Sequence, residues 1–492
     1  MGDKVAVTTF TREDRQRYRQ KVKRCLEVLE RMLSEGRFET GRKLIGLEIE
    51  LNIANAQARP HMVNDEVLAL IASQDFQTEL GQFNIEVNVA PHKLVGMVFS
   101  ELHEELRTSL NYADRKAGQL GAQIVMIGIL PTLRDADMDL SNLSNNPRYA
   151  ILNEQIIAAR GENLTLSIDG VERLSTDATS ILPESACTSV QFHLQVSPDS
   201  FPAMWNAAQA LSAVQVALGA NSPFLFGREL WRETRPVLFE QATDTRTEEL
   251  VAQGVRPRVW FGERWISSPM DLFEENVRYF TALLPVCEDE DPVEMLDRGD
   301  IPHLLELRLH NGTIYRWNRP VYDVARGKPH LRVENRVLPA GPTVIDVLAN
   351  AAFYYGAVRA LAEQQPPVWA SMPFAAAEEN FHTAARHGID AELYWPGMGT
   401  VPATELVLRR LLPLAQRGLD LWRIEPGERD RFLKIIEQRC VRRTNGASWQ
   451  SAAYHYFADE KGLDRFAALE AMTLRYAEYM RGGEPVHTWP VP

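Results

Sequence analysis

An α+β fold built round one antiparallel sheet is what the sequence predicts, and three observations carry that expectation. Short runs of alternating aliphatic and polar residues recur between about positions 43 and 342. Only two substantial helical stretches, about 96–120 and 202–218, stand among them, too few for a strand-helix-strand repeat. Beyond Pro342 the pattern turns to helices. The expected organisation is a helical extension over 1–40, a main α/β body over 41–342 and a mainly helical region over 343–492.

Composition supports a packed protein. The 492 residues are 45% hydrophobic and 24% charged, enough apolar matter for a sizeable core. The 53 basic and 66 acidic residues leave a net charge of −13, which argues against a protein that coats nucleic acid or an anionic membrane. Cys25, Cys187, Cys287 and Cys440 are too scattered for a disulfide framework or a thiolate zinc site. The opening residues carry no apolar run of secretory length, and no uninterrupted membrane-length apolar span follows. A cytoplasmic location with no membrane partner is therefore expected.

Taken in chain order, residues 12–35 place Val22, Leu26, Leu29 and Leu33 on one stripe of an amphipathic helix. In KLIGLEIELNI, Leu47, Ile49 and Leu51 alternate with Glu48, Glu50 and Asn52, so a strand would turn both glutamates to one face. ELGQFNIEVNVAP sets Asn84, Glu86 and Asn88 opposite Ile85, Val87 and Val89. TSVQFHLQVSP groups Gln191, His193 and Gln195 on a polar face. PHLLELRLHNGTIYRWNRP reads as a hairpin turning at Asn311 and Gly312, with Glu306, Arg308 and His310 on one strand and Arg316 on the next. HLRVENRVLP presents Arg332, Glu334 and Arg336 together. Helices are then expected from Val344 onward and over 402–418, 427–441 and 463–480.

Any one such strand reads equally as the wet face of an antiparallel sheet. If the segments bring Glu48, Glu50, Glu86, His193 and Glu334 into one concavity, their mutual repulsion calls for divalent metal, phosphate or compensating arginines. Carboxylates favour Mg2+, and His193 admits Mn2+. Arg316, Arg332 and Arg336 are available for phosphate charge. The sequence has no GxxxxGK[ST] loop, no GxGxxG fingerprint and no HExxH helix.

The ordered segments GLEIELN, ELGQFNIEVNVAP, SVQFHLQV, GANSPFLFG and HLRVENRVLP, with the later ENFHTAARHGIDAELYW, resemble the bacterial and plant glutamate-cysteine ligase family, including its carboxylate-amine ligase branch, over about residues 40–450. The resemblance implies a glutamine-synthetase-like fold, an antiparallel sheet with helices on one side and ATP with divalent cations on the open face. It implies Glu48, Glu50, Glu86, His193 and Glu334 as metal ligands. Arg316, Arg332 and Arg336 then lie about the nucleotide phosphates or the activated carboxylate, and Asn221, Ser222, Arg228 and Arg235 shape the pocket. Two later segments, one with Glu379, Asn380, Arg386 and Gly388 and the other with Arg443, Asn445 and Gln450, are candidates for a cavity wall or lid.

The implied reaction joins a carboxylate to an amine at the expense of ATP, with glutamate and cysteine as the most specific pair, giving gamma-glutamylcysteine by way of an acyl phosphate. A ligase for another acid or amine, and a non-catalytic ATP- and metal-binding regulator, are the alternatives. The extension and the helical tail could then serve as a lid, a regulatory surface or a contact in a homo-oligomer.

Overall fold

The computed structural model describes residues 10–492, so the opening residues 1–9, read above for their lack of a leader, lie outside the described part. Seven strands form one antiparallel sheet: β1 (Leu44–Ala54), β2 (Phe76–Thr78), β3 (Asn84–Lys93), β4 (Gln123–Val125), β5 (Ser189–Val196), β6 (Asn318–Ala325) and β7 (Lys328–Pro339). Their order across the sheet is β6-β7-β5-β1-β3-β2, with β4 pairing the far end of β1. The four strands read from alternation are its centre.

One face of the sheet carries Leu47, Ile49, Leu51, Ile85, Val87, Phe192, Leu194, Leu331 and Val333, all buried. Against this side pack α2 (Val98–Gly118), α3 (Phe201–Gly219) and α6 (Val344–Ala362). Asn335 also points there, an exception to the apolar pattern. Its amide is satisfied by Gln215 of α3 (2.9 Å) and Asn318 of β6 (2.8 Å), as a buried polar group requires. The helix α6 is long and apolar enough to cross a membrane, but 83% of its apolar window is buried inside the protein. It is sandwiched between the sheet side and the later helices α8 (Leu412–Leu421) and α9 (Pro426–Arg442).

The N-terminal helix α1 (Arg12–Ser34) opens with a capping box, Thr11 Oγ1 accepting from the Asp14 amide while the Asp14 carboxylate accepts from the Thr11 amide. Its buried stripe packs on α4 (Pro269–Tyr279) and α5 (Leu305–Asn311), with Lys21 Nζ 3.1 Å from Glu306 Oε1.

That last helix corrects one expectation. Residues 305–311 do not form the first strand of a hairpin at Asn311 and Gly312; they form α5. Over so few residues the two periods overlap: Leu304 and Leu307, or Glu306 and His310, sit on one helical face as readily as alternate residues sit on one strand face. The buried contacts with α1 favour the helix. The hairpin exists one segment later, where Arg326 and Gly327, both at positive φ, join β6 to β7 in the two-residue turn whose twist suits paired strands. The other helices named below are α7 (Phe374–His387), α10 (Gly446–His455) and α11 (Arg465–Gly482).

Candidate active site

The polar face of the sheet floors a cavity of about 750 Å³. Register brings the expected residues together. Glu50 of β1 stands directly across from Glu86 of β3, Gly46 across from His193 of β5, and His193 across from Glu334 of β7. This face is not washed by solvent: Glu334 is 2% exposed, Glu86 4%, His193 7% and Glu50 9%. A wet sheet surface does not bury carboxylates, so that reading is excluded.

At one end, Glu50, Glu79 and Glu86 each offer a carboxylate oxygen, the three lying within 4.8 Å of one another. Oxygens that span at most twice a normal cation-oxygen distance can surround one hard divalent ion, which makes the donor set a fit for Mg2+ or Mn2+. Partial anchoring comes from the protein: Glu50 accepts from the Ser189 amide (2.6 Å) and Gln191 (3.1 Å), and Glu86 from Gln77 (2.6 Å) and Asn88 (2.7 Å). Among the described residues, no cationic side chain forms an ion pair with any of the three. Burial, opposed by Arg336 and reinforced by Glu86, pushes the Glu50 carboxyl up to about 7. Burial, with Glu86 and Glu50 adding to it, pushes Glu79 well above the carboxylate range.

The middle of the cavity is balanced differently. Glu334 accepts from Arg319 Nη2 (2.9 Å) and from Arg336 Nη1 (2.6 Å). Arg336, two positions after Glu334, shares its face of the strand, next to a register irregularity between Asn335 and Leu338. His193 accepts at Nδ1 from Arg332 Nε (3.2 Å), and because an arginine can only donate, the neutral ring carries its proton on Nε2, 3.0 Å from Glu48 Oε1. Burial works against the charge on Glu48 and Glu334, but the His193 ring beside Glu48 outweighs it there and lowers that carboxyl. Arg319, Arg336 and His193 hold Glu334 well below its usual range.

The other predicted residues divide. Arg332 lines the cavity and also binds Asp323 (3.1 Å). Arg316 is on the far wall, its Nη2 2.6 Å from Glu275 Oε2 and its guanidinium over the Trp260 ring, 4.9 Å from the centroid. Arg235 lines the cavity from its pair with Glu233 (2.7 Å). Asn221 and Arg228 are not brought to the cavity. Asn221 is buried as a tie between the Ala340 carbonyl (2.7 Å), Tyr476 of α11 (2.8 Å) and Gln450 of α10 (2.8 Å). Arg228 lies at the surface beside Glu172 (3.3 Å). Ser222 binds Glu233, Asn380 of α7 clasps Tyr394, Arg386 stacks on Trp231, Arg443 pairs with Asp390 and Asn445 caps α10. None of them lines the cavity.

The sequence reading missed Glu79 and Glu184. Glu79 stood at the head of the quoted ELGQFNIEVNVAP, but it lies in the irregular link between β2 and β3, where no alternation could assign it a face.

The electrostatics give a signed prediction. A carboxyl whose folded pKa is raised keeps its proton when the unfolded chain has lost it, so the metal-free fold loses stability as pH rises above about 4.5 and through the folded values. A bound cation must displace those protons. The rise in melting temperature on adding Mn2+ or Mg2+ is therefore expected to be larger at about pH 8 than at about pH 6, read by thermal denaturation. Equal rises would show that these carboxyls do not carry the ion.

The comparisons agree with this geometry. Residues 44–451 match the model of glutamate-cysteine ligase family 2 (GCS2). Among solved structures, the chain is similar to the glutamate-cysteine ligase of Francisella tularensis in complex with AMP, at 11% identity and a TM-score of 0.54, over 93% of this chain and 91% of that one. It is also similar to a bifunctional glutathione synthetase from Pasteurella multocida, at 13% identity and a TM-score of 0.52, over 89% of this chain and 53% of that one. A search of curated proteins finds no match. With the family model spanning most of its length, and the sheet and helices arranged as that resemblance implies, the chain belongs to glutamate-cysteine ligase family 2, the ATP-dependent carboxylate-amine ligases of glutamine-synthetase-like fold.

Proposed function

We propose that the protein joins glutamate to cysteine, forming gamma-glutamylcysteine with release of ADP and phosphate. The observation that carries this reading is the pairing, in one cavity, of a three-carboxylate cluster with a glutamate clamped between arginines. The AMP held by the Francisella tularensis relative supports an adenine nucleotide here.

A carboxylate is a poor acyl donor, and transfer of the terminal phosphoryl group of ATP to its oxygen supplies the missing leaving group. Glu50, Glu79 and Glu86 would hold one divalent cation, with Glu48, His193 and Glu334 available to further ions. Such ions would offset phosphate charge. Arg336, fixed by Glu334 and Gln191, presents a guanidinium to the transferring group without reorganising. Arg332 is pinned by Asp323 and orients His193, and through it Glu48.

Incubation of the protein with ATP, Mg2+, glutamate and cysteine is expected to yield gamma-glutamylcysteine by mass spectrometry, dependent on all four. Product only with another acid or amine would move the substrate pair, and no product from any combination would overturn the ligase reading.

A further inference from the structure

We propose that Glu184 receives the ammonium group of the amine substrate and takes from it the proton that must leave before the nitrogen can attack. The inference rests on the ligase reading and adds to it a residue for the second half-reaction.

Glu184 lies on a short 3-10 turn, Leu182–Ala186, whose other members Leu182, Pro183, Ser185 and Ala186 are buried and which leads directly into β5. Its position is thus fixed to the sheet that carries His193. The side chain lines the cavity, yet no described residue gives it a hydrogen bond or an ion pair, and Oε2 is closed off from solvent without a partner. The contrast with its neighbours is plain. Glu48 faces His193, Glu50 the Ser189 amide, Glu86 Gln77 and Asn88, and Glu334 two arginines. Nor does Glu184 belong to the three carboxylates that converge within 4.8 Å. Glu184 is half-buried, and a carboxylate oxygen shut off from water with nothing bound to it is costly; in a cavity it marks where a ligand group of opposite charge completes the site.

Its surroundings suit a cation. Tyr315 lines the same cavity, and burial, with the charge of Glu184 adding to it, raises the pKa of its hydroxyl. Tyr315 meets Phe239 edge-on, ring centroids 5.0 Å apart, and both rings line the cavity. Aromatic faces attract ammonium and repel water. Burial, opposed by Arg336 and assisted by Glu50, pushes the Glu184 carboxyl up to about 8 in the empty cavity, above a free carboxylate, and an ammonium bound beside it favours the ionised form that accepts the proton.

The step balances. The substrate ammonium gives one proton to the Glu184 carboxylate, leaving a carboxylic acid and a neutral amine. The nitrogen pair forms the C–N bond at the acyl carbon. The C–O bond to phosphate breaks, its electrons staying on the phosphate oxygen, and the second surplus nitrogen proton leaves on that phosphate.

Hydroxylamine, uncharged at neutral pH, needs no such deprotonation and tests the assignment. With ATP, Mg2+ and glutamate, Glu184→Gln is expected to form the hydroxamate at close to the wild-type rate while its cysteine-dependent amide synthesis falls ~100-fold or more. Glu184→Asp should recover part of the loss, and Mn2+ affinity by calorimetry should match wild type in both variants. Parallel loss of hydroxamate and amide, or Mn2+ binding weakened as in Glu79→Gln, would overturn the proposal. A wild-type protein that forms neither product overturns the ligase reading itself, and the inference with it, before any variant is made.

Discussion

Glu79→Gln is expected to weaken Mn2+ binding and metal-dependent turnover by ~100-fold or more, while leaving the metal-free protein as stable as wild type or more so above neutral pH. Both halves follow from one fact: Glu79, Glu50 and Glu86 approach within 4.8 Å, and no cationic side chain among the described residues pairs with them. Removing one carboxylate takes a charged oxygen from a hard ion, a loss of ~3 kcal/mol or more, which is about a hundredfold in affinity. The same change removes a half-buried like charge that Glu86 and Glu50 oppose. Calorimetric titration with Mn2+ reads the first half and thermal denaturation at about pH 8 the second. Wild-type affinity in the variant would show that the cluster is a chance meeting of acids. A large fall in metal-free stability would show that Glu79 holds the fold, and the loss of turnover would then carry no message about metal.

Where the sequence alone sufficed, the reason is the strict period of two. Glu48, Glu50, Glu86, His193 and Glu334 were legible because each sits mid-strand, and a strand that buries Leu47, Ile49, Val87, Leu194 and Val333 on one face has no choice about the other. Their convergence was not legible. It depends on β5 lying between β1 and β7: the first of these ends at Ala54, the other begins only at Lys328, and pairing through Ser189–Val196 is what joins them. Glu79 and Glu184 were missed for the complementary reason. One lies in a link after a three-residue strand and the other on a 3-10 turn, and neither setting imprints a period on the sequence. Asn221 shows the opposite error: a segment that resembles the family's can be buried scaffolding, here a tie between the sheet's end and α10 and α11. The helix at Leu305–Asn311 was lost because leucines over seven residues satisfy either period, and contacts from α1, about 270 residues earlier in the N-terminal extension, decide it.

Glu334→Ala is expected to act with the opposite sign on stability, lowering it by about 3–5 kcal/mol in urea denaturation. Here the buried carboxylate is the shared partner of Arg319 and Arg336, whose side chains are each 19% exposed, and its removal leaves both guanidiniums without their counter-charge. Burial disfavours the charge on Glu334, but Arg319, Arg336 and His193 outweigh it and hold the carboxyl well below its ordinary value. A depressed pKa contributes stability that is present above the unfolded value of about 4.5 and is lost as pH falls through the folded one. The gap between wild type and variant should therefore persist from about pH 8 to about pH 6 and close only in acid, whereas relief of the Glu79 cluster should fade as soon as pH drops through neutrality. Turnover should fall further than the loss of folded protein explains. Without Glu334, Arg336 is free to swing towards Glu50, whose charge it already feels, and a guanidinium drawn into the carboxylate cluster competes with the cation. Added Mn2+ would then restore little activity to Glu334→Ala even under conditions where it is fully folded, and full recovery by metal would show that Arg336 stays on its other partner, Gln191.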